Sequence, residues 1–168
     1  MLELRHISNP LVGYEVTYSY SPADQDYIVT QPCSVGYTCL GTAHVNSVAH
    51  EITGDWVASV KLTKLRPFAL GGIGVRIDVP SGGAATAQEC ITSDLFICES
   101  ITGSVGTNTS SKVVFVYGAG LDWTLLAHLG LRFQFRGSVY KAPDLVYAAT
   151  PNSFIQTSEP MAGIFVQF

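Results

Sequence analysis

The segment LRFQFRGSVY (131–140) alternates apolar and polar side chains along most of its length. One set of positions is apolar, with Leu131, Phe133, Phe135 and Val139, and the other is polar, with Arg132, Gln134, Arg136 and Ser138. A period of two residues is the pattern of a β-strand whose faces meet different surroundings. The segment therefore predicts a strand with one apolar and one charged face. Alternation alone does not say which face is inside.

The same alternation recurs along the chain, while helical periodicity is almost absent. It predicts about seven strands, at 1–8, 13–21, 44–62, 67–79, 112–124, 130–141 and 160–168. Consecutive alternating strands with turns between them are typical of antiparallel sheets. The sequence thus predicts an all-β, antiparallel protein with an up-and-down strand order.

The connections between these strands alternate in length. Short turns are predicted at 8–13, 63–67 and 126–130. Long loops are expected at about 21–43, 80–112 and 141–159, because these segments are rich in Ser, Thr, Gly, Pro and Asn. In an up-and-down sheet, short turns then lie at one end and long loops at the other.

Composition limits the class of protein. The 168 residues fit a single domain, 1–168. Only 13% of residues are charged and 47% are hydrophobic, whereas about 25% are charged in ordinary globular domains. The formal net charge of −4 gives no basic surface, so nucleic acid is not an expected partner. No run of about 18 apolar residues predicts a membrane-spanning helix.

Four cysteines fall in two close pairs within the predicted long loops, Cys33 with Cys39 and Cys90 with Cys98. Two local disulfides formed in an oxidising compartment are the favoured interpretation. Free thiols and a metal site are the alternatives. The spacings do not form the paired CxxC pattern typical of zinc sites.

Few residues predict chemistry. The histidines His6, His44, His50 and His128 are scattered and form no Ser/His/Asp pattern. The glycine-rich segments at 71–75 and 118–120 lie inside predicted strands, whereas a phosphate-binding loop opens a helix. We therefore predict no catalytic residue, no metal, no cofactor and no enzymatic activity.

The layout of strands and connections resembles the transmembrane β-barrels of bacterial outer membranes, over nearly the whole chain. The C-terminal positions Ala162, Ile164, Val166 and Phe168 match the alternating signal, ending in Phe, that the barrel-insertion machinery of that family recognises. The segments YGAGLDW (117–123) and LGLRFQFRGSVYKAPD (129–144) are similar to the penultimate hairpin of small, eight-stranded members. The resemblance implies location in the outer membrane, with lipid and the barrel-assembly machinery as partners.

For such a barrel, the apolar faces point to lipid and the polar faces to the interior. The interior is then expected to hold an ion-pair network of Glu15, Glu51, Asp55, Lys61, Arg76, Asp78, Asp122, Arg132 and Arg136. A charged pore constriction and a catalytic constellation are the alternatives. Rings near the short turns are expected at the membrane interface, namely Tyr14, Trp56, Phe68 and Trp123.

Seven strands disagree with the even number on which an antiparallel bacterial barrel closes. We therefore expect one further strand and an export signal upstream, with Met1 as an internal start. The alternative is that residues 1–8 form a tail and leave six strands.

The expected function lies in the external loops, as surface recognition or adhesion through an unidentified extracellular ligand, or as a part in envelope integrity. One alternative is a narrow passive pore. The other is a soluble, secreted β-barrel that binds an apolar ligand, which requires Arg132, Gln134 and Arg136 to face water.

Overall fold

A computed structural model describes residues 1–7, 11–34, 37–93, 95–126, 128–146 and 152–166. These residues form one antiparallel sheet of nine strands, which are β1 (Leu2–Ile7), β2 (Val12–Pro22), β3 (Gln25–Ser34), β4 (Tyr37–Ser59), β5 (Leu65–Ser93), β6 (Leu95–Ser104), β7 (Ser110–Leu126), β8 (Leu129–Lys141) and β9 (Phe154–Val166). None of the described residues lies in a helix long and apolar enough to cross a membrane. The prediction of an all-β, antiparallel chain is confirmed.

The nine strands lie along seven lines in the order β1-β2-β4-β5-β7-β8-β9. β3 prolongs the line of β2, because both pair with β4. In the same way β6 and β7 share a line, because both pair with β5. All seven predicted strands are therefore observed, and residues 2–7 belong to the sheet.

The loops predicted at 21–43 and 80–112 are mostly strand, so that prediction is wrong. Residues 41–45 of β4 pair with residues 83–87 of β5, and β3 and β6 continue this ladder on either side. We call β3, residues 37–47, residues 80–93 and β6 the hairpin extension. The third loop, 141–159, contains the first residues of β9, which begins at Phe154.

The two faces of the sheet have largely inverted polarity relative to a water-soluble protein, although the buried face also holds an apolar cluster of Val57, Phe68, Leu70, Val114, Val116 and Tyr140. Charged side chains are buried on one face, with Glu15 1% exposed and Asp78 fully buried. Large apolar side chains are exposed on the other, with Trp56 70% and Ile164 73% exposed. Soluble proteins bury apolar groups and almost never fully bury unpaired charges.

The sheet coils around its polar face. Register partners connect Glu3 of β1 step by step to Tyr140 of β8. The carboxylate of Glu3 nevertheless contacts Arg132, at the opposite end of β8. Strands must therefore be strongly tilted, as in a sheet that curls back towards its own first strand. The sheet is not closed, since within the described ranges β1 and β9 do not pair.

Cross-strand pairs of glycine with an aromatic ring permit this tight curvature. Phe68 lies over its register partner Gly120, where an added methyl group would lie 2.5 Å from the ring. We expect Gly120→Ala to lower the free energy of unfolding by about 1–3 kcal/mol, because the side chain overpacks the interior. The urea midpoint of the folded protein measures this.

Gly54→Ala is the matched control, because a methyl group there meets no atom within 4 Å. This variant is expected to be neutral or slightly more stable. Equal loss in both variants would contradict the overpacking explanation and point to a general effect of alanine in these strands.

Candidate functional site

Two arginines and three carboxylates meet inside the coil near its short-turn end. The guanidinium of Arg132 donates to both carboxylate oxygens of Asp122, at 2.7 and 3.0 Å, and lies 3.3 Å from Glu15. Arg5 donates to Glu15 at 2.6 Å and lies 3.3 Å from Asp122. Glu3 contacts Arg132. We call these five residues the Arg132 cluster, which joins β1, β2, β7 and β8 through their interior side chains.

A second group, the Arg136 cluster, lies further towards the hairpin extension. Arg136 donates to Thr53 at 2.6 Å and to Asp55 at 3.1 Å, and lies 3.9 Å from Glu51. Beside it, Arg76 pairs with Asp78 at 3.0 Å and its guanidinium lies over the Tyr140 ring at 4.4 Å. Asp55 also accepts a hydrogen bond from the Thr53 hydroxyl at 3.2 Å, and Arg76 contacts Asp78 through two guanidinium nitrogens, so the buried charges are paired.

The structure brings together eight of the nine predicted interior residues. They lie in the Arg132 cluster, in the Arg136 cluster or in the adjacent Arg76–Asp78 pair, and the exception is Lys61. Lys61 is exposed, so its prediction is wrong. The alternation places position 61 on the interior face, but β4 ends at Ser59, and Lys61 lies in the connection to β5, where its neighbours Val60 and Leu62 bond to Pro67 and Leu65. The neutral residues Thr17, Thr53, Gln134 and Ser138 share the charged face, but they were not included in the predicted ion-pair network.

Three of the four predicted interface rings are exposed on the apolar face, namely Tyr14, Trp56 and Trp123. Tyr14 and Trp56 are register partners on β2 and β4. The prediction for Phe68 is wrong, because its ring is buried and lies 4.1 Å from the Arg5 guanidinium. In the alternation of β5, position 68 belongs to the interior face, as Leu70 does. Closeness to a turn does not decide which face a side chain is on.

A second aromatic group lies nearer the hairpin extension and was not predicted. The Tyr18 hydroxyl lies 2.9 Å from the Nδ1 of His50, and the Tyr20 and His50 rings are 5.3 Å apart. All three side chains lie on the apolar face. The sequence could have indicated this group, because the alternation of β2 and β4 places all three side chains on the apolar face. They lie at the opposite end of that face from Tyr14 and Trp56.

Residues 142–146, which we call the strap, cover the interior at the hairpin end. Leu145 and Val146 are buried against Val45, with Tyr27 and Val105 packed beside them. The Tyr27 hydroxyl donates to the Pro143 carbonyl at 2.7 Å and accepts from the Leu145 N–H at 3.2 Å. The strap thus places an apolar layer over the charged interior.

A polar cluster lies on the exposed side of the hairpin extension. The Nδ1 of His44 lies 2.6 Å from Asp26, and its Nε2 lies 3.1 Å from the side-chain oxygen of Asn46. These hydrogen bonds, the one to Asp26 first, raise the pKa of His44 above its ordinary value. The cluster offers a small pH-sensitive surface on the hairpin extension, with His44 and Asn46 in a predicted strand and Asp26 in a segment that had been predicted to be a loop.

We expect Asp26→Asn to lower the pKa of His44 towards its ordinary value of about 6.5, because the amide no longer favours the imidazolium. An NMR titration of the His44 ring measures this. Asp24→Asn, which removes a weaker Coulombic contribution, should shift the pKa less. An unchanged pKa in Asp26→Asn would show that the hydrogen bond does not form in solution.

Several predicted residues lie outside what the structure describes. The side chains of Cys33, Cys39, Cys90 and Cys98 are among them, so both disulfides stay predictions. The backbone positions of Cys90 and Cys98 are register partners between β5 and β6. Ala162, Ile164 and Val166 are on the exposed face of β9, while Phe168 lies beyond the described residues.

Other evidence for chemistry is sparse. Among the described residues, no three His, Cys, Asp or Glu side chains form a group that could hold a metal ion. Neither the protein-family models nor the curated proteins compared with the chain give a match. The features that indicate a function are therefore the polarity of the sheet and the hairpin extension.

Proposed function

We propose that the chain is a small outer-membrane β-barrel whose polar interior is filled and whose hairpin extension acts at the cell surface in recognition or adhesion. The inverted polarity of the sheet carries this proposal. In lipid, outward apolar residues are favourable, and backbone groups are satisfied between strands. Burial of the two arginine clusters supports a charged interior in place of a charged surface.

The distribution of apolar residues along the strands supports a membrane band of limited height. On β4 and at Val60 just after it, the outward positions are apolar or aromatic from Val48 onwards, apart from His50 and Gly54, and they turn polar at Asn46, His44 and Thr42. Thirteen residues from 48 to 60 exceed the 9–11 that a tilted strand needs. β4 has 23 residues and β5 has 29, so both continue well past such a band.

The contents of the interior support a structural plug over the alternative of a narrow pore. Each arginine in the clusters touches at least one carboxylate, and Phe68 packs against two guanidinium groups, of Arg5 and Arg132. A small barrel has an interior only wide enough for side chains. The strap adds Leu145 and Val146 across one end.

Epitope insertion on intact cells tests the orientation and the exposed role of the hairpin extension. A tag placed in the connection between β3 and β4 should bind antibody on intact cells. A tag in the connection between β4 and β5, at 60–64, should bind only after the outer membrane is permeabilised. Equal access of both tags on intact cells would contradict the proposal.

Planar-bilayer recording separates the plug from the pore. The proposal predicts no steady single-channel current from the purified, lipid-inserted protein. A narrow pore predicts a steady current whose ion selectivity changes when Arg132 or Arg136 is neutralised. Such a current would replace the plug by the pore as the function of the interior.

A further inference from the structure

The two outer lines of the sheet, β1 and β9, run in the same direction. Neighbouring lines are antiparallel throughout, and the path from β1 to β9 contains seven of them. Direct pairing between β1 and β9 would therefore be a parallel ladder in an otherwise antiparallel sheet. One strand placed between them would be antiparallel to both.

The interior is open to the side along β9. Glu159 and Gly163 share the interior face with their register partners Arg136 and Arg132, yet both are exposed. A methyl group built on Gly163 meets no atom within 4 Å. On β2 and β4, by contrast, interior positions such as Glu15 and Thr53 are buried. The wall of the coil is incomplete beside β9.

Of the six buried side-chain polar atoms without a hydrogen-bond partner among the described residues, four are on β1, at one edge of the sheet, or on β8, next to the other edge; the remaining two, Oδ1 of Asp55 and Oγ of Ser59, are on β4. Those on β1 are Oε1 of Glu3 and Nη2 of Arg5. On β8, both side-chain polar atoms of Gln134 are without a partner, although Gln134 is only 5% exposed. Leaving such groups unsatisfied costs about 1–3 kcal/mol each. Buried polar groups in folded proteins are normally bonded, so the four atoms on β1 and β8 indicate that a polar partner belongs beside these strands.

We propose that the opening between β1 and β9 binds one further β-strand, antiparallel to both edges, which completes the wall. Its inward side chains are polar, with hydroxyl or amide groups for Glu3, Arg5 and Gln134 and a cation for Glu159. Its outward side chains are apolar and continue the band of Leu4 and Ile164. The outward part of this description rests on the proposed function, while the inward part rests on the unpartnered groups.

A second copy of the chain does not fit this opening. Two copies with the same orientation in a membrane present β1 of one beside β9 of the other, and these run parallel. Antiparallel pairing of β1 with β1 requires one copy to be inverted. The occupant is therefore a single strand.

Hydrogen–deuterium exchange of the full chain in detergent micelles tests the proposal. The probe is a synthetic peptide of about ten residues that alternates leucine with threonine and has lysine at one polar position. It is added in excess, or tethered ahead of Met1 by a glycine–serine linker. The matched control has the same composition with the leucines grouped together, so that it cannot present one face.

The alternating peptide should slow amide exchange in both β1 and β9 by at least about tenfold, and the control peptide should not. Protection of one edge alone, or of neither edge with the tethered peptide, would overturn the proposal. Edge protection in a dimer formed without peptide would also overturn it. The test uses micelles and reads only the edges, so its failure is distinguishable from a failure of the epitope or conductance experiments.

Discussion

Replacing Arg132 by leucine is expected to lower the free energy of unfolding by about 3–5 kcal/mol, because it removes one side of a buried ion cluster. The side chain of Arg132 contacts the carboxylates of Glu3, Glu15 and Asp122, of which the Glu15 side chain is fully buried. In the variant these acids share the single remaining cation, Arg5. Urea titration of the protein folded in lipid vesicles measures the loss.

Three variants separate this cause from a general effect of substitution. Arg132→Lys keeps the charge but loses the two-nitrogen contact with Asp122, so an intermediate loss is expected. Asp122→Asn in the Arg132→Leu background should recover part of the stability, because one unpaired charge is removed. The exposed Lys61→Leu should change the free energy by less than about 0.5 kcal/mol. A loss below about 1 kcal/mol in Arg132→Leu would contradict the buried cluster.

Ile73→Arg is expected to lower the free energy of unfolding in lipid vesicles by about 2–4 kcal/mol, the cost of a cation facing the middle of a bilayer. Ile73 lies near the centre of the outward apolar positions of β5, between Leu65 and Val79, and is 48% exposed. In a water-soluble protein, an arginine at so exposed a position would change the stability by less than about 0.5 kcal/mol. The two environments thus predict different results from one substitution.

The matched control places the same cation on the same face of the sheet, on the neighbouring strand β4 and beyond the apolar band. Thr42 is exposed, points outward from β4 and belongs to the hairpin extension. Thr42→Arg should leave the stability in vesicles unchanged, and Ile73→Leu should do the same. Equal tolerance of arginine at positions 42 and 73 would contradict burial of the apolar band in lipid.

The sequence predicted the strands and their two faces because period-two alternation depends only on the local backbone. In 131–140 the structure keeps Gln134 and Arg136 on one buried face and Phe133 and Phe135 on the other. For the two side chains that were assigned to the wrong surroundings, Phe68 and Lys61, the error had a local cause. Phe68 was placed by its distance from a turn and Lys61 by its parity alone, although β4 ends before it.

Pairing between distant segments could not be predicted in the same way. The composition of 21–43 and 80–112 is typical of loops, yet the ladder between β4 and β5 extends them as strands. The contact of Glu3 with Arg132 depends on the tilt of the whole sheet, which no short segment encodes. The unpartnered atoms of Gln134 likewise depend on the burial of its side chain in the folded sheet.

Quenching of tryptophan fluorescence by brominated lipids tests the membrane assignment most directly. The chain has two tryptophans, and both Trp56 and Trp123 are exposed on the apolar face towards the short-turn end. The full chain is folded into vesicles whose lipids have bromine either near the glycerol or near the end of the acyl chain. Trp56→Phe and Trp123→Phe report each ring separately.

If the apolar face lies in lipid, both rings are quenched, and bromine near the glycerol quenches more strongly because aromatic rings favour the interface. Acrylamide in the water should then have little effect. If no brominated lipid quenches either ring while acrylamide quenches both, the apolar face is not in the membrane. That result would contradict the proposal of an outer-membrane barrel.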